Sequence, residues 1–246
     1  MMGQSDCDIV FTGETLLLDR MGGLYWPARE TLVISDLHFE KGSSFADRGV
    51  MLPPYDTKTT LSRIAALISR YKPACIVSLG DAFHDRGAET RMAPDDVEQL
   101  QSITQSVRWI WILGNHDPTP PACFAGEAMD IAEFEPITFC HEPTEYRRGA
   151  ASSRHGEISG HLHPSARILT EGRVLRRRCF VVGEQRLVMP ALGAYTGGLN
   201  VRDEAYRGLW GTNGVFSTYC MGDSGVYRVP QQALTSERKR IDREAS

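Results

Sequence analysis

Three stretches of the chain are apolar almost without interruption for the length of a strand and then stop on polar side chains. They are residues 31–35 (Thr-Leu-Val-Ile-Ser), 75–79 (Cys-Ile-Val-Ser-Leu) and 109–113 (Trp-Ile-Trp-Ile-Leu). A strand that does not alternate is covered on both faces, as in the interior of a parallel sheet. Parallel neighbours need a crossover, and each gap supplies a helical pattern. Leu52-Pro53-Pro54-Tyr55-Asp56-Thr57 signals a helix start, followed by Leu61, Ile64, Ala65 and Ile68 at helical spacing. Pro94-Asp95-Asp96 opens a second helix with Val97, Leu100, Ile103 and Thr104 on one face. The pattern predicts βαβαβ, with the C-terminal ends of all three strands on one edge.

Around this unit the pieces are shorter. Residues 9–11, 15–18 and 24–26 are β-prone, and Met21-Gly22-Gly23 reads as a hairpin turn between the last two. From Phe134 onward, residues 137–140, 158–159, 167–169, 179–182, 186–189, 215–221 and 226–229 predict a second, more antiparallel sheet packed on the first. With 246 residues, 41% of them hydrophobic, one domain over residues 1–234 is expected, with residues 235–246 a charged, disordered tail.

The net charge of −4 gives no global basic signature, so any nucleic-acid contact must come from a local patch. Six cysteines lack a CxxC pair, and Cys75 and Cys140 lie inside apolar runs, which fits a reduced, cytoplasmic setting. No signal sequence and no window of about 18 uncharged apolar residues is visible, so a soluble, unexported protein without membrane association is expected. The sequence carries no signal for oligomeric state.

The strand ends carry the chemistry. Asp36-Leu37-His38, Gly80-Asp81, Gly114-Asn115-His116-Asp117, His141 and Gly160-His161-Leu162-His163 each follow a strand-like run. With His84, these places hold six of the seven histidines, all but His155. Ligands bind beyond the carboxyl ends of strands in open α/β sheets. Imidazoles mixed with carboxylates and an amide oxygen suit a borderline divalent metal: manganese, iron, zinc, cobalt or nickel. There are too many donors for one ion, and an aspartate can bridge two ions about 3.5–4 Å apart, as in-line displacement at phosphorus requires.

In this order, Asp-x-His, Gly-Asp-x-x-His, Gly-Asn-His-Asp, a lone His after a strand and Gly-His-x-His resemble the calcineurin-like metallophosphoesterase superfamily over residues 31–164. The resemblance implies an α/β fold, a four-layer α/β/β/α sandwich of two mixed sheets flanked by helices, with two divalent ions, manganese first, between the sheets. It assigns Asp36, His38 and His163 to one ion, Asn115, His141 and His161 to the other, and Asp81 to both. His116 is then the candidate general acid, with Asp117 orienting it and raising its pKa. His84 and Arg48 are candidates for substrate contact or for supporting the ligands.

A finer resemblance spans about residues 13–229. Arg48-Gly49-Val50-Met51-Leu52-Pro53-Pro54-Tyr55-Asp56-Thr57, Gly80-Asp81-Ala82-Phe83-His84-Asp85 and Pro190-Ala191-Leu192-Gly193-Ala194-Tyr195-Thr196-Gly197-Gly198-Leu199-Asn200 are similar to the ligase-associated DNA damage response endonucleases of bacteria. That branch implies phosphodiester hydrolysis on DNA, with an ATP-dependent DNA ligase and a helicase as partners. The same site would also support a small-molecule phosphatase or nucleotide phosphodiesterase. A noncatalytic scaffold is the third reading, set against the fact that every motif position is filled.

Other features have ordinary explanations beside functional ones. Arg147-Arg148 and Arg176-Arg177-Arg178 can meet a phosphate backbone or lie on solvated faces. Trp109 and Trp111 are expected in the core. Gly197-Gly198 is expected to be a structural turn between sheets rather than a metal-site loop.

Overall fold

The computed structural model describes residues 6–119, 121–144, 155–170, 173–210 and 214–236. Arg147, Arg148 and most of the charged tail lie outside the described residues.

The first sheet has seven strands in chain order: β1 (Asp6–Phe11), β2 (Glu14–Asp19), β3 (Leu24–Trp26), β4 (Thr31–Ile34), β5 (Cys75–Leu79), β6 (Arg108–Ile112) and β7 (Glu127–Met129). β1 to β4 are antiparallel and β4 to β7 parallel. Four helices accompany it: α1 (Lys41–Asp47), α2 (Asp56–Tyr71), α3 (Ala88–Arg91) and α4 (Pro94–Ser106). The steps from β4 to β5 and from β5 to β6 run in the same direction, so like-handed crossovers bring α2 and α4 to the same face.

Side-chain alternation then divides the core. Leu32, Ile34, Ile76, Trp109 and Trp111 pack against Leu61, Ile64, Leu67 and Leu100 of the helices. Val33, Val77, Ile110 and Ile112 point the other way, into a layer shared with Phe139, Ile158, Phe180 and Leu187. Unbroken apolar runs are therefore required: each parallel strand has two buried faces.

The second sheet is built from β8 (Ile131–Phe134), β9 (Ile137–Cys140), β10 (Gly156–Ser159), β11 (Ser165–Thr170), β12 (Arg173–Val182), β13 (Arg186–Val188), β14 (Ser217–Met221) and β15 (Val226–Val229). Its order is β15-β14-β12-β13-β10-β9-β8, with β11 attached to β12. It is mixed: β9, β10 and β13 are mutually parallel, and the remaining pairs are antiparallel. The parallel trio matters because it aims the ends of β9 and β10 the same way.

Two mixed sheets face to face, with helices outside, make the expected α/β sandwich. The fourth layer is thin. Among the described residues the outer face of the second sheet carries no α-helix. It is covered by loops and by the 3-10 turns Glu204–Tyr206 and Gln231–Ala233, which bury Tyr206, Leu209 and Leu234 against Val188, Cys179 and Cys220. The elements absent from the sequence reading are α1, α3, β7 and β8, all seven residues or shorter. No helix among the described residues is long and apolar enough to cross a membrane.

Phe139 is fully buried where the sheets meet. Phe139→Ala is expected to cost about 3–5 kcal/mol in a urea melt. Val10→Ala, 74% exposed on an edge strand, is expected to change stability by less than about 0.5 kcal/mol. Equal losses at the two positions would refute this account of the core.

Candidate metal centre

The five polar strand ends meet. Asp36 and His38 follow β4, Asp81 follows β5, Asn115 and His116 follow β6, His141 follows β9, and His161 and His163 follow β10. Five of these residues, Asp36, His38, Asp81, His161 and His163, have φ between 45° and 66°. Side chains rarely adopt that left-handed conformation, and non-glycine examples mark turns held by their surroundings. Here the holding is visible: the ladder continues past the strands, with His38 N–H donating to the Asp81 carbonyl at 2.9 Å and Phe39 N–H to the Ala82 carbonyl at 2.8 Å. The chain thus turns at Asp36 and Asp81 without losing its backbone partners.

Two donor groups result. In the first, His163 Nε2 lies 3.0 Å from Asp36 Oδ1 and 3.3 Å from His38 Nε2. The second gathers His141, His161 and Asn115: His141 Nε2 is 3.2 Å from His161 Nδ1 and 2.9 Å from Asn115 Oδ1. Asp81 joins them through its two oxygens, Oδ2 at 3.7 Å from His38 Nε2 and Oδ1 at 3.5 Å from His141 Nε2. The donor atoms of Asp36, His38 and His163 lie within 4.8 Å of one another, and so do those of Asp81, His141 and His161. Carboxylate, imidazole and amide donors converging this closely fit divalent metal ions.

The protonation states agree with ligand duty. Burial holds His38 neutral down to about pH 2, outweighing the pull of Asp36, and it also lowers His161. Burial would raise Asp36, but His163, His141 and His38 together hold its carboxyl below the usual range. His141 Nδ1 lies 2.9 Å from the Leu79 carbonyl, so its N–H is on that atom and Nε2 presents a lone pair to the centre.

Beside these two groups, His116 makes a third cluster with His38 and His84, their donor atoms within 4.8 Å of one another. Its Nδ1–H donates to the His84 carbonyl at 2.8 Å, and Nε2 lies 4.0 Å from Asp81 Oδ2. Asp117, expected to orient His116, turns its carboxylate to other partners. The Asp117 carboxylate accepts from Gly114 N–H at 3.2 Å and Phe83 N–H at 3.1 Å, tying the β6 loop to the β5 loop. Burial and nearby Asp81 raise its pKa to about 6 despite these bonds. The orienting group for His116 is thus the backbone of His84, whose ring also stacks on His116 at 5.3 Å.

His84 itself is buried, with Nδ1 3.4 Å from His38 Nδ1, and burial lowers its pKa to about 4. Arg48 is exposed at the C-terminal end of α1, and its charge reaches His84. Two neighbours were missed. Ser35 Oγ donates to Asp36 Oδ2, and half-buried Lys41, lowered by burial, is near enough for Asp81 to raise it in part. The polar residue ending an apolar strand was the available signal for Ser35; Lys41 had none. His155 lies elsewhere, against Thr138 and Glu135.

Residues 190–200 buttress the centre from behind. Leu192 N–H donates to the Ser35 carbonyl at 2.8 Å and Gly193 N–H to the Asp36 carbonyl at 3.1 Å. Gly198 lies against the His163 carbonyl, so close that no Cβ would fit. The turn falls at residues 194–195 rather than at the glycine pair, and of the two glycines it is Gly198 that supports a ligand loop.

Gly114 is just as constrained, since a Cβ there would overlap Asp81 and approach Asp117 Oδ1 to 2.7 Å. Gly114→Ala is expected to lower bound metal per chain, measured by elemental analysis. Gly197→Ala, with nothing within 4 Å, is expected to leave metal content unchanged. Full metal content in the Gly114 variant would contradict the packing described.

The profile of the calcineurin-like phosphoesterase family matches residues 30–171, more than half of the chain. Among solved structures, the Pseudomonas putida nuclease MPE aligns with TM-score 0.71 and 28% identity, over 92% of this chain and all of that one. The E. coli phosphoesterase Yfce aligns with TM-score 0.41 and 14% identity, over 83% of this chain and 99% of its own. No functionally curated protein matches the sequence. The sequence match and the donor geometry agree, and the chain belongs to the calcineurin-like phosphoesterases, a family of metal-dependent phosphoester hydrolases.

Proposed function

We propose that this chain is a two-metal phosphodiesterase that cleaves nucleic acid, with DNA as its substrate. The carrying observation is Asp81, whose two carboxylate oxygens face histidines of different donor groups, His38 and His141. In this reading Asp36, His38 and His163 would hold one divalent ion and Asn115, His141 and His161 the other, with Asp81 placed to serve either group. Such a pair supplies Lewis acidity toward water and phosphoryl oxygen. Manganese is the first candidate, with zinc, iron, nickel and cobalt compatible with the same donors.

The chain's own residues supply the proton. The His116 side chain is 40% exposed, whereas His38 and His141 are 3% and 5% exposed, so substrate can reach it. With Nδ1–H committed to the His84 carbonyl, Nε2 is the ring atom left to carry a proton toward substrate, 4.0 Å from Asp81 Oδ2. That proton passes to the leaving ester oxygen, a step worth about a hundred- to ten-thousandfold in rate. Asp117 keeps the Gly114 and Phe83 loops together and so positions Asn115 and His116 indirectly.

Likeness to the P. putida nuclease supports a nucleic-acid substrate. The repair setting, with a ligase and a helicase as partners, rests on the sequence resemblance alone.

Metal-loaded protein is expected to hydrolyse bis-p-nitrophenyl phosphate and single-stranded or nicked DNA, and to lose both activities in EDTA. Turnover confined to the monoester p-nitrophenyl phosphate would sink the reading. His116→Ala is expected to keep its metal by elemental analysis while kcat falls about a hundredfold or more. Lost metal would make His116 a ligand instead, and an unchanged kcat would remove it from the chemistry.

A further inference from the structure

A second concentration of charge lies on the edge that carries the metal centre. Leu24 pairs with Val33, so the turn before β3, with Arg20, lies at the C-terminal end of β4. In the other sheet, Val188 pairs with Ser159 of β10 and with Val181 of β12. Residues of β12 before Val181 therefore run out past the same edge. Cys179 pairs with Cys220, which carries Asp223 there as well. Between these tips lies a groove of about 490 Å³ lined by Arg20, Arg63, Arg176, Arg177 and Arg178, with Asp223 as its one acidic residue.

The five guanidinium groups bond to neutral acceptors. Arg20 donates to the Asp223 carbonyl, Arg63 to the Leu192 carbonyl, Arg176 to the Gly198 carbonyl and Ser165 Oγ, Arg177 to the Arg176 carbonyl, and Arg178 to the Ala191 and Gly193 carbonyls. None of the five forms an ion pair among the described residues. Each guanidinium has five N–H donors and uses two or fewer acceptors here, so donors remain for a ligand. Uncompensated positive charges in one concavity repel one another, and an anion relieves the repulsion. Burial first, and the charge of Arg63 second, lower Arg178 to about 10. The chain as a whole is acidic, so the groove is a local exception to its field.

We propose that this groove binds phosphates of the sugar-phosphate backbone of a nucleic-acid strand whose scissile bond lies in the metal centre. The inference rests on the nucleic-acid reading above and names the surface that would hold the strand. Groove and centre are separated by residues 190–193, whose carbonyls Arg63 and Arg178 hold and whose amides hold Ser35 and Asp36. The turn carrying Arg20 joins β2 to β3, within two strand spacings of β4, about 10 Å. Planar guanidinium forks match phosphate geometry and carry no sequence information, so the groove fits a register-setting rather than a base-reading role.

Arg63 and Arg178 also support the centre, so the test uses Arg20 and Arg177. Binding of a labelled single-stranded phosphorothioate oligonucleotide, which resists hydrolysis, to the metal-loaded chain is measured by fluorescence anisotropy across a salt series. The wild-type chain is expected to bind with a salt-dependent Kd. Arg20→Ala with Arg177→Ala is expected to weaken binding about tenfold and to reduce the magnitude of the salt slope by about 1.4, at about 0.7 per lost phosphate contact. The double lysine variant, Arg20→Lys with Arg177→Lys, retains the charges and is expected to keep most of the binding, which separates charge loss from misfolding. Equal affinity in the wild-type and alanine proteins would overturn the proposal, and so would no binding by the wild type. Cleavage of the phosphodiester oligonucleotide of the same sequence judges the nuclease reading separately: cutting without a binding difference sinks the groove alone.

Discussion

The carboxylate of Asp81 is the point on which the two sheets agree. It is 2% exposed, accepts the His116 N–H at 2.9 Å, and faces His38 from the β4 loop and His141 from the second sheet. A buried carboxylate is costly unless it is paired or bound to a cation, and Asp36, fully buried beside it, doubles the demand. Below this level the sheets join through Val77, Ile110, Phe139 and Ile158, an apolar contact that would tolerate many relative positions. Ligand loops from both sheets remove that freedom, because each carboxylate needs imidazoles from the opposite sheet. The metal centre is in this sense part of the fold's specification.

Such a centre cannot be built from relaxed strand ends. Positive φ at five site residues costs about 1–3 kcal/mol at each, and the surrounding loops must hold it. The extended ladder between residues 38–39 and 81–82 does so within the first sheet. Residues 190–193 do so from outside, gripping Ser35 and Asp36 by their carbonyls while Arg63 and Arg178 grip residues 191–193 in turn. Support runs in layers: arginines hold a loop, the loop holds a turn, and the turn aims a ligand.

Much of this was legible in the sequence, for a physical reason. Strands with two buried faces have an apolar signature that ends where the chain must meet ligand, so Asp36, Asp81, Asn115, His141 and His161 announce themselves by position. The roles of neighbours were harder to read. His116 and Asp117 are adjacent, yet one ring turns to the His84 carbonyl and the other side chain to backbone amides of Gly114 and Phe83. Those directions are set by the turn after β6 and by a loop over thirty positions away, neither of which leaves a periodic trace. β7 and β8 escaped because they are three and four residues long and carry polar residues. The thin fourth layer escaped because loops and 3-10 turns bury Tyr206 and Leu209 without helical spacing.

The arginines show the same limit from the other side. As a sequence, Arg176-Arg177-Arg178 is indistinguishable from a solvated strand face, and Arg20 and Arg63 are distant singletons. Only the antiparallel pairings of β3 with β4 and of β12 with β13 and β14 bring Arg20 and residues 176–178 to one edge, where Arg63 joins them from α2. The fold then places two kinds of site along that edge, one suited to binding cations and one carrying fixed cations of its own. The centre gathers carboxylates and imidazoles, which suit exchangeable ions able to polarise a phosphoryl oxygen. The groove gathers fixed guanidinium groups, which stay charged through any working pH and form directional bonds. On the proposed reading a polymeric phosphodiester would use both, held by the groove while its reacting phosphate changes charge at the centre.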